Sequence, residues 1–391
     1  MNYQLSRRSF LSAASAIALS QILSGCSNPE MLQILFLENS IPLQLIGDFR
    51  KTIVKENKVD FKPQTQLYQI FNSLLDLQTA KNTDSNTNNL LRKAFGKTAV
   101  YPNLTSLGDF WLSSAIKQNL IQPLAVNSLE NWQKLPTSWQ KLVRYDERGN
   151  LTANGEIYGA PYRWGSTIIA YRSDKLNKLG LTITDWQDLW QPKLRDRLSL
   201  LDSPREVIGL TLKKLGHSYN ANNLDSIADL ETELSALDRQ VKLYSSDNYL
   251  EPLVLGDTWV AVGWSSDILP LLKRYQDIKI VIPRSGTSLW ADLWVKPQIS
   301  EAVVNNDLSG VIEEWIDFCW RAKSAVQISL FTNGISPVLS SMNREELPQD
   351  LQNNILLNSE TLNSDKSEFL QPLPRVTQQQ YRDLWLKIRQ S

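Results

Sequence analysis

Short apolar, β-branched runs alternate with amphipathic stretches along this chain, and that alternation limits the fold more than any other feature. "MLQILFL" (residues 31–37) reads as a buried strand, and "IPLQLIGDFRKTIVKEN" follows with Ile41, Leu45, Phe49 and Ile53 at helical spacing. "VDFKPQT" reads as the next strand. "RLSLLDSPREVIGLTLKKLG" reads as strand, turn and helix, and "TWVAVGW" and "IKIVIP" as buried strands. "TSLGDFWLSSAIKQNLIQPL" reads as a helix running into a loop, and "YGAPYRWGSTIIAYRSDKL" carries a strand through Ile168–Tyr171. "KNTDSNTNN" reads as a surface loop, and residues 309–322 and 378–390 as helices. This order predicts α/β layers with largely parallel sheets. At 391 residues the chain exceeds one ordinary core, so two domains are expected.

Several function classes drop out. Lys+Arg and Asp+Glu both number 41, so no net field draws the chain to nucleic acid. Two cysteines and one histidine exclude Cys/His metal clusters and a CxxC redox pair. No H-E-x-x-H, G-x-S-x-G, G-x-G-x-x-G or Walker A run occurs. The expectation is therefore no catalytic residue, no metal and no cofactor. His217 follows Gly216 in "KKLGHSYN", an apparent helix end where a cationic ring suits the dipole.

Residues 1–30 read as an address. Arg7 and Arg8 sit in "SRRSFL", the run "FLSAASAIALSQIL" is too short to span a bilayer, and "LSGC" ends at Cys26. The twin arginines with Phe10 and Leu11 resemble a Tat export signal. The LSGC run resembles a bacterial lipobox, which implies cleavage before Cys26, a lipid on Cys26 and a body tethered to a membrane. Cys319, in "VIEEWIDFCWRAK", reads as a buried thiol on an amphipathic helix.

Four stretches carry candidate chemistry. In "TSLWADLWVKP" (287–297), Leu289, Ala291, Leu293 and Val295 share one strand face, and Trp290, Asp292 and Trp294 the other. A carboxylate between two indoles is either a receptor for a cation, or the partner of a lysine or arginine of the chain's own, or simply solvated. In "LLDSPREV", Ser203, Pro204 and Glu206 form a capping-box pattern, with Glu206 at a cleft mouth as the functional alternative. Trp264 ends the apolar strand of "AVGWSSD", where ligands sit in open α/β sheets; a core ring is the other reading. Trp164 in "PYRWGST" marks a possible hinge.

From about Leu32 onward these runs together resemble the solute-binding proteins of bacterial ABC importers, the spermidine/putrescine-binding group in particular. The matching stretches are "SLGDFWLSSAIKQNLIQPL", "YGAPYRWGSTIIAY", "WQDLWQPKLRDRLSLLDSPREVIGLTLKKLG", "GDTWVAVGW" and "IVIPRSGTSLWADLWVKP". The resemblance implies a two-lobed periplasmic-binding-protein fold of type II, with the ligand cleft between lobes. It implies residues 31–165 and 292–345 in lobe 1, and 166–291 and 346–391 in lobe 2. It further implies a monomeric periplasmic lipoprotein that binds a polyamine or related cation and delivers it to permease subunits. Trp290 then matches a stacking ring and Asp292 the carboxylate meeting an ammonium. Trp264 matches a second ring, Glu206 a second carboxylate, and Ser246 and Gln371 polar contacts.

The departures lie mainly on the opposite wall. Leu37 and Ser40 stand where polyamine binders carry Trp and Tyr, Phe110 where a Tyr is expected, and Ser203 where an Asp is expected. Glu38 is new and offers a compensating charge, so Glu38, Ser40 and Phe110 complete the expected ligand wall. An amino-acid-like solute on the same fold, or an envelope sensor without transport, are the alternatives.

Overall fold

The computed structural model describes residues 32–53, 59–82, 102–298, 309–362 and 364–390. The address segment 1–30, with Cys26, lies outside the described residues, as does most of the "KNTDSNTNN" stretch.

One continuous sheet runs through the molecule. Its strand order is Val59–Gln64, Leu32–Leu37, Leu104–Gly108, Ser288–Pro297, Ala160–Arg172, Val260–Trp264, Leu198–Leu200 and Val241–Tyr244. The wings are parallel: Leu32–Leu37 pairs that way with both its neighbours, and so does Leu198–Leu200. The centre is antiparallel, because the chain leaves the first wing on Ala160–Arg172 and returns on Ser288–Pro297. The expectation of largely parallel sheets therefore holds for the wings and fails at the crossing.

These two crossing strands belong to both halves. Residues Ala160–Ser166 pair with Trp294–Leu289, and Thr167–Tyr171 pair with Trp264–Val260. The first core collects Leu32, Ile34, Phe49, Leu104, Leu293, Trp294, Trp315 and Ile328. The second collects Leu198, Leu200, Ile208, Leu212, Val260 and Val262, and the C-terminal helix Arg375–Gln390 adds Tyr381 and Ile388. Leu347, Leu351, Leu356 and Leu362 pack with the first core, beyond the residue 345 boundary expected from sequence.

Local sequence explains much of this. Helix Pro204–Lys214 ends at Gly216 (φ 79°), and the His217 N–H reaches back to the Leu212 carbonyl at 2.8 Å. Cys319 is a buried free thiol, with burial pushing its pKa well up. One reading needs correction. "TSLGDFW" is not the start of a helix: Leu104–Gly108 is a strand, and the helix begins at Asp109. The apolar spacing of Leu104, Leu107 and Phe110 fits a helix, but both edges of Leu104–Gly108 are claimed by sheet neighbours.

Candidate functional site

The second crossing strand sets out a row. Ser288, Trp290 and Asp292 alternate onto one face. Ser288 and Asp292 are four residues apart, about 13 Å along a strand. Each end of the row carries a buried carboxyl group, and the two are treated differently.

At one end stands Asp292, 2% exposed. The Arg163 guanidinium donates to its Oδ2 from Nε at 2.8 Å and from Nη2 at 2.5 Å. Arg163 reaches it because the two residues are direct cross-strand partners. Its Nη1 reaches the Thr332 carbonyl at 3.4 Å, and its Cζ lies 5.4 Å from the Trp290 ring centroid. Burial is the largest single influence and works against the charged guanidinium, but the Asp292 charge and hydrogen bond together with Tyr162 and Asp267 hold Arg163 above its ordinary range. Asp292 is therefore not a vacant cation receptor. Of the readings the sequence left open, an arginine of the chain's own is the one observed.

Two glycines make room for this arrangement. A Cβ on Gly165 would lie 2.3 Å from the Trp290 ring, and one on Gly334 2.4 Å from Arg163 Cγ. The Trp290 ring thus lies against bare backbone, half-buried.

At the other end, Glu206 sits in the first turn of Pro204–Lys214, 6% exposed. The capping box does not form. Ser203 makes no side-chain cap bond, and Glu206 Oε2 instead accepts from Ser288 Oγ at 2.7 Å. Burial raises the Glu206 pKa, and among the described residues it makes no ion pair. Among the described residues this carboxyl group has no salt bridge; the Ser288 and Thr167 hydroxyls and the Arg205 charge only partly offset its burial.

Trp264 stands at the end of Val260–Trp264, half-buried. Its backbone N–H donates to the Tyr249 hydroxyl at 3.1 Å, and that hydroxyl donates to Asp267 at 3.0 Å. Ser246 lies half-buried after Val241–Tyr244. Gln371 is exposed, with its N–H on Asn220 Oδ1 at 2.8 Å and its carbonyl accepting from Arg205 at 3.2 Å.

The first-lobe wall departs further. Glu38 is exposed in the turn after Leu32–Leu37, and Phe110 is 40% exposed at the start of Asp109–Lys117. Ser40 is fully buried, its Oγ 2.8 Å from the Tyr162 hydroxyl. It is sealed inside the first lobe, so it leaves the expected ligand wall. Tyr162 in turn stacks on Trp294 at 4.6 Å, and Trp294 meets Trp315 edge-on. The pairing register shifts between Asp292 and Leu293. Beyond that shift, Trp294 leaves the row and becomes core.

Sequence reasoning missed three residues of this site. Arg163 and Ser288 stand inside the stretches "PYRWGST" and "TSLWADLWVKP", but only the cross-strand register brings Arg163 to the row and only the fold brings Ser288 to Glu206. Asp109 accepts the Ala291 N–H at 2.8 Å; burial, with the Asp292 charge adding to it, pushes its pKa up to about 7. Among the described residues no group of His, Cys, Asp and Glu is placed to hold a metal, and no helix is long and apolar enough to cross a membrane.

Comparisons with known proteins bear on this geometry. Residues 101–360 match the family described as bacterial extracellular solute-binding protein. A spermidine/putrescine-binding periplasmic protein of Salmonella typhimurium is 29% identical over 184 residues, 47% of this chain and 50% of that protein. A putrescine/cadaverine-binding protein of Pseudomonas aeruginosa is 29% identical over 185 residues, 45% of this chain and 51% of that protein. The chain thus matches about half the length of these curated relatives. Among solved structures, a spermidine/putrescine ABC transporter substrate-binding protein of Streptococcus pneumoniae superposes with a TM-score of 0.74. That pair is 18% identical over 92% of this chain and 99% of the other. A lipoprotein of Treponema pallidum gives 0.65 at 16% identity, over 92% and 99%.

Proposed function

The chain belongs to the bacterial extracellular solute-binding proteins, and from that premise we propose that it is the solute-receiving subunit of an ABC importer. In this reading it holds a small organic cation of the polyamine kind between its two lobes, and it binds and releases that solute without transforming it. The observation that carries the reading is Glu206. It is a buried carboxyl group without a salt-bridged cation among the described residues, in the first turn of Pro204–Lys214, and it accepts from Ser288, which shares a face of the crossing strand with the half-buried Trp290 indole. Burial pushes the Glu206 pKa up. A bound ammonium would favour its charged form and add a charge-assisted hydrogen bond, about 1.5–3 kcal/mol.

We assign Trp290, Trp264 and Glu206 to the ligand, Ser246 and Gln371 to the rim, and Glu38 and Phe110 to the facing lobe. Closure then traps the state the ligand binds better. The ligand class follows the relatives named for spermidine, putrescine and cadaverine. Export through the twin-arginine segment, acylation of Cys26 and delivery of the solute as a monomer to permease subunits complete the proposal. Membrane fractionation checks the anchor: Cys26→Ser should release the protein from the membrane fraction.

A thermal-shift series tests the ligand. A cation at 100 times its Kd should stabilise the protein by about 2.7 kcal/mol. No shift with putrescine, cadaverine, spermidine and their single-amine analogues at millimolar concentration removes the cation reading. An amino-acid-like solute is the second reading. The Arg163–Asp292 pair favours it, because that end of the row already contains a positive charge.

A further inference from the structure

An indole beside a carboxylate is a general receptor for an ammonium group: the ring quadrupole and the anion attract the same cation. Trp290 and Asp292 make such a receptor, and the chain fills it itself. The Arg163 guanidinium bonds Asp292 through Nε and Nη2, lies over Trp290, and turns Nη1 to the Thr332 carbonyl. Both partners are almost fully buried, and Gly165 and Gly334 leave the space that ring and guanidinium occupy. A ligand amine arriving at Asp292 would have to displace a buried, hydrogen-bonded cation, which then has no water to enter. The opposite end differs, since Glu206 is held by hydroxyl groups, Ser288 foremost, and is salt-bridged to no cation among the described residues, with the Arg205 charge acting on it only from a distance.

We infer that Arg163 is a specificity-determining residue that stands in for a ligand ammonium, so that the cleft takes solutes with one amine in preference to diamines of the same length. The single ammonium goes to Glu206, the carbon chain lies along Trp290, and the far end of the solute is uncharged. This rests on the cation reading of the cleft, with Glu206 as its receptor.

A matched pair of probes, pentylamine and cadaverine, tests it by titration calorimetry. They have the same chain length and differ by one amine. The wild-type protein should bind pentylamine at least about tenfold more tightly than cadaverine, the factor one charge contact commands. Arg163→Met frees Asp292, and the order should reverse by a similar factor. The double variant Arg163→Met with Asp292→Leu removes the pair as a unit. With the receptor carboxylate gone as well, it should lose the cadaverine preference of Arg163→Met and again bind pentylamine more tightly than cadaverine.

Wild-type preference for cadaverine overturns the inference. So does failure of a folded Arg163→Met protein to gain cadaverine affinity. If Arg163→Met does not fold, the double variant decides: a pentylamine preference supports the inference, and equal or tighter cadaverine binding overturns it. If the wild type binds neither probe, the cation reading of the empty cleft fails by itself. A cadaverine-dependent melting shift that appears only in Arg163→Met would still show Arg163 blocking the receptor, and its absence would overturn that too.

Discussion

Glu206 and Asp292 occupy opposite ends of one strand face, and both are almost sealed from water. Burial alone would treat them alike. Their partners separate them: Asp292 is held by a guanidinium from the neighbouring strand, and Glu206 by hydroxyl groups, Ser288 foremost. A buried carboxyl group is thus a binding site or a structural tie according to what already faces it. Asp109 is an intermediate case, with a backbone N–H as partner and a pKa near 7.

The largest expected effect breaks the tie at one end only. Arg163→Met leaves Asp292 buried without its cation and should cost about 3–5 kcal/mol in urea unfolding. Glu206→Gln, at the end with no salt bridge, should change ligand-free stability by less than about 1 kcal/mol, since it breaks no ion pair and keeps an acceptor for the Ser288 hydroxyl. Equal losses in the two variants would erase the distinction between the ends.

Asp109 grades the comparison by pH. Its folded pKa, about 7, is raised above the unfolded value, so the folded state holds its proton more tightly. That contribution is fully present below about pH 4 and is lost as pH rises through 7. Asp109→Asn keeps an acceptor for the Ala291 N–H and removes the loss. It should match the wild type at pH 4 and exceed it at pH 8, by something on the order of 3 kcal/mol. A pH-independent difference would put the titrating group elsewhere.

The smallest expected effect tests the ring between the ends. Gly165→Ala brings a Cβ to 2.3 Å from the Trp290 ring and 2.5 Å from Ser265 Oγ. The indole has to lift, at about 1–3 kcal/mol. Tryptophan fluorescence should shift and cation binding weaken, while the rest of the fold persists. Unchanged emission and affinity would remove Trp290 from the site.

What the sequence made legible was the part that is local. Period two predicted the shared face of Trp290 and Asp292, whereas Trp294, expected on that face too, is turned into the core beyond the register shift. Gly216 does end the helix before His217. The alternation of strands and helices matches the parallel wings. What it hid depends on register between segments far apart in the chain. Arg163 and Asp292 are 129 residues apart, and no spacing rule relates them. Ser203 and Glu206 satisfy a capping pattern, yet Ser288, 82 residues from Glu206, takes the carboxyl group. Ser40 read as part of the ligand wall until its partner Tyr162, 122 residues on, was seen to bury it.

The pairing of the two crossing strands, interrupted only by the register shift after Asp292, has a mechanical consequence. The lobes are not joined by slack linkers: the sheet runs through from one wing to the other, narrowing to an antiparallel ribbon at its waist. Such a ribbon resists bending within its own plane but takes up twist readily. Opening and closing should then be a torsion along Ala160–Arg172 and Ser288–Pro297. The Arg163–Asp292 pair, which bridges those two strands at the waist, acts as a clasp on that torsion spring.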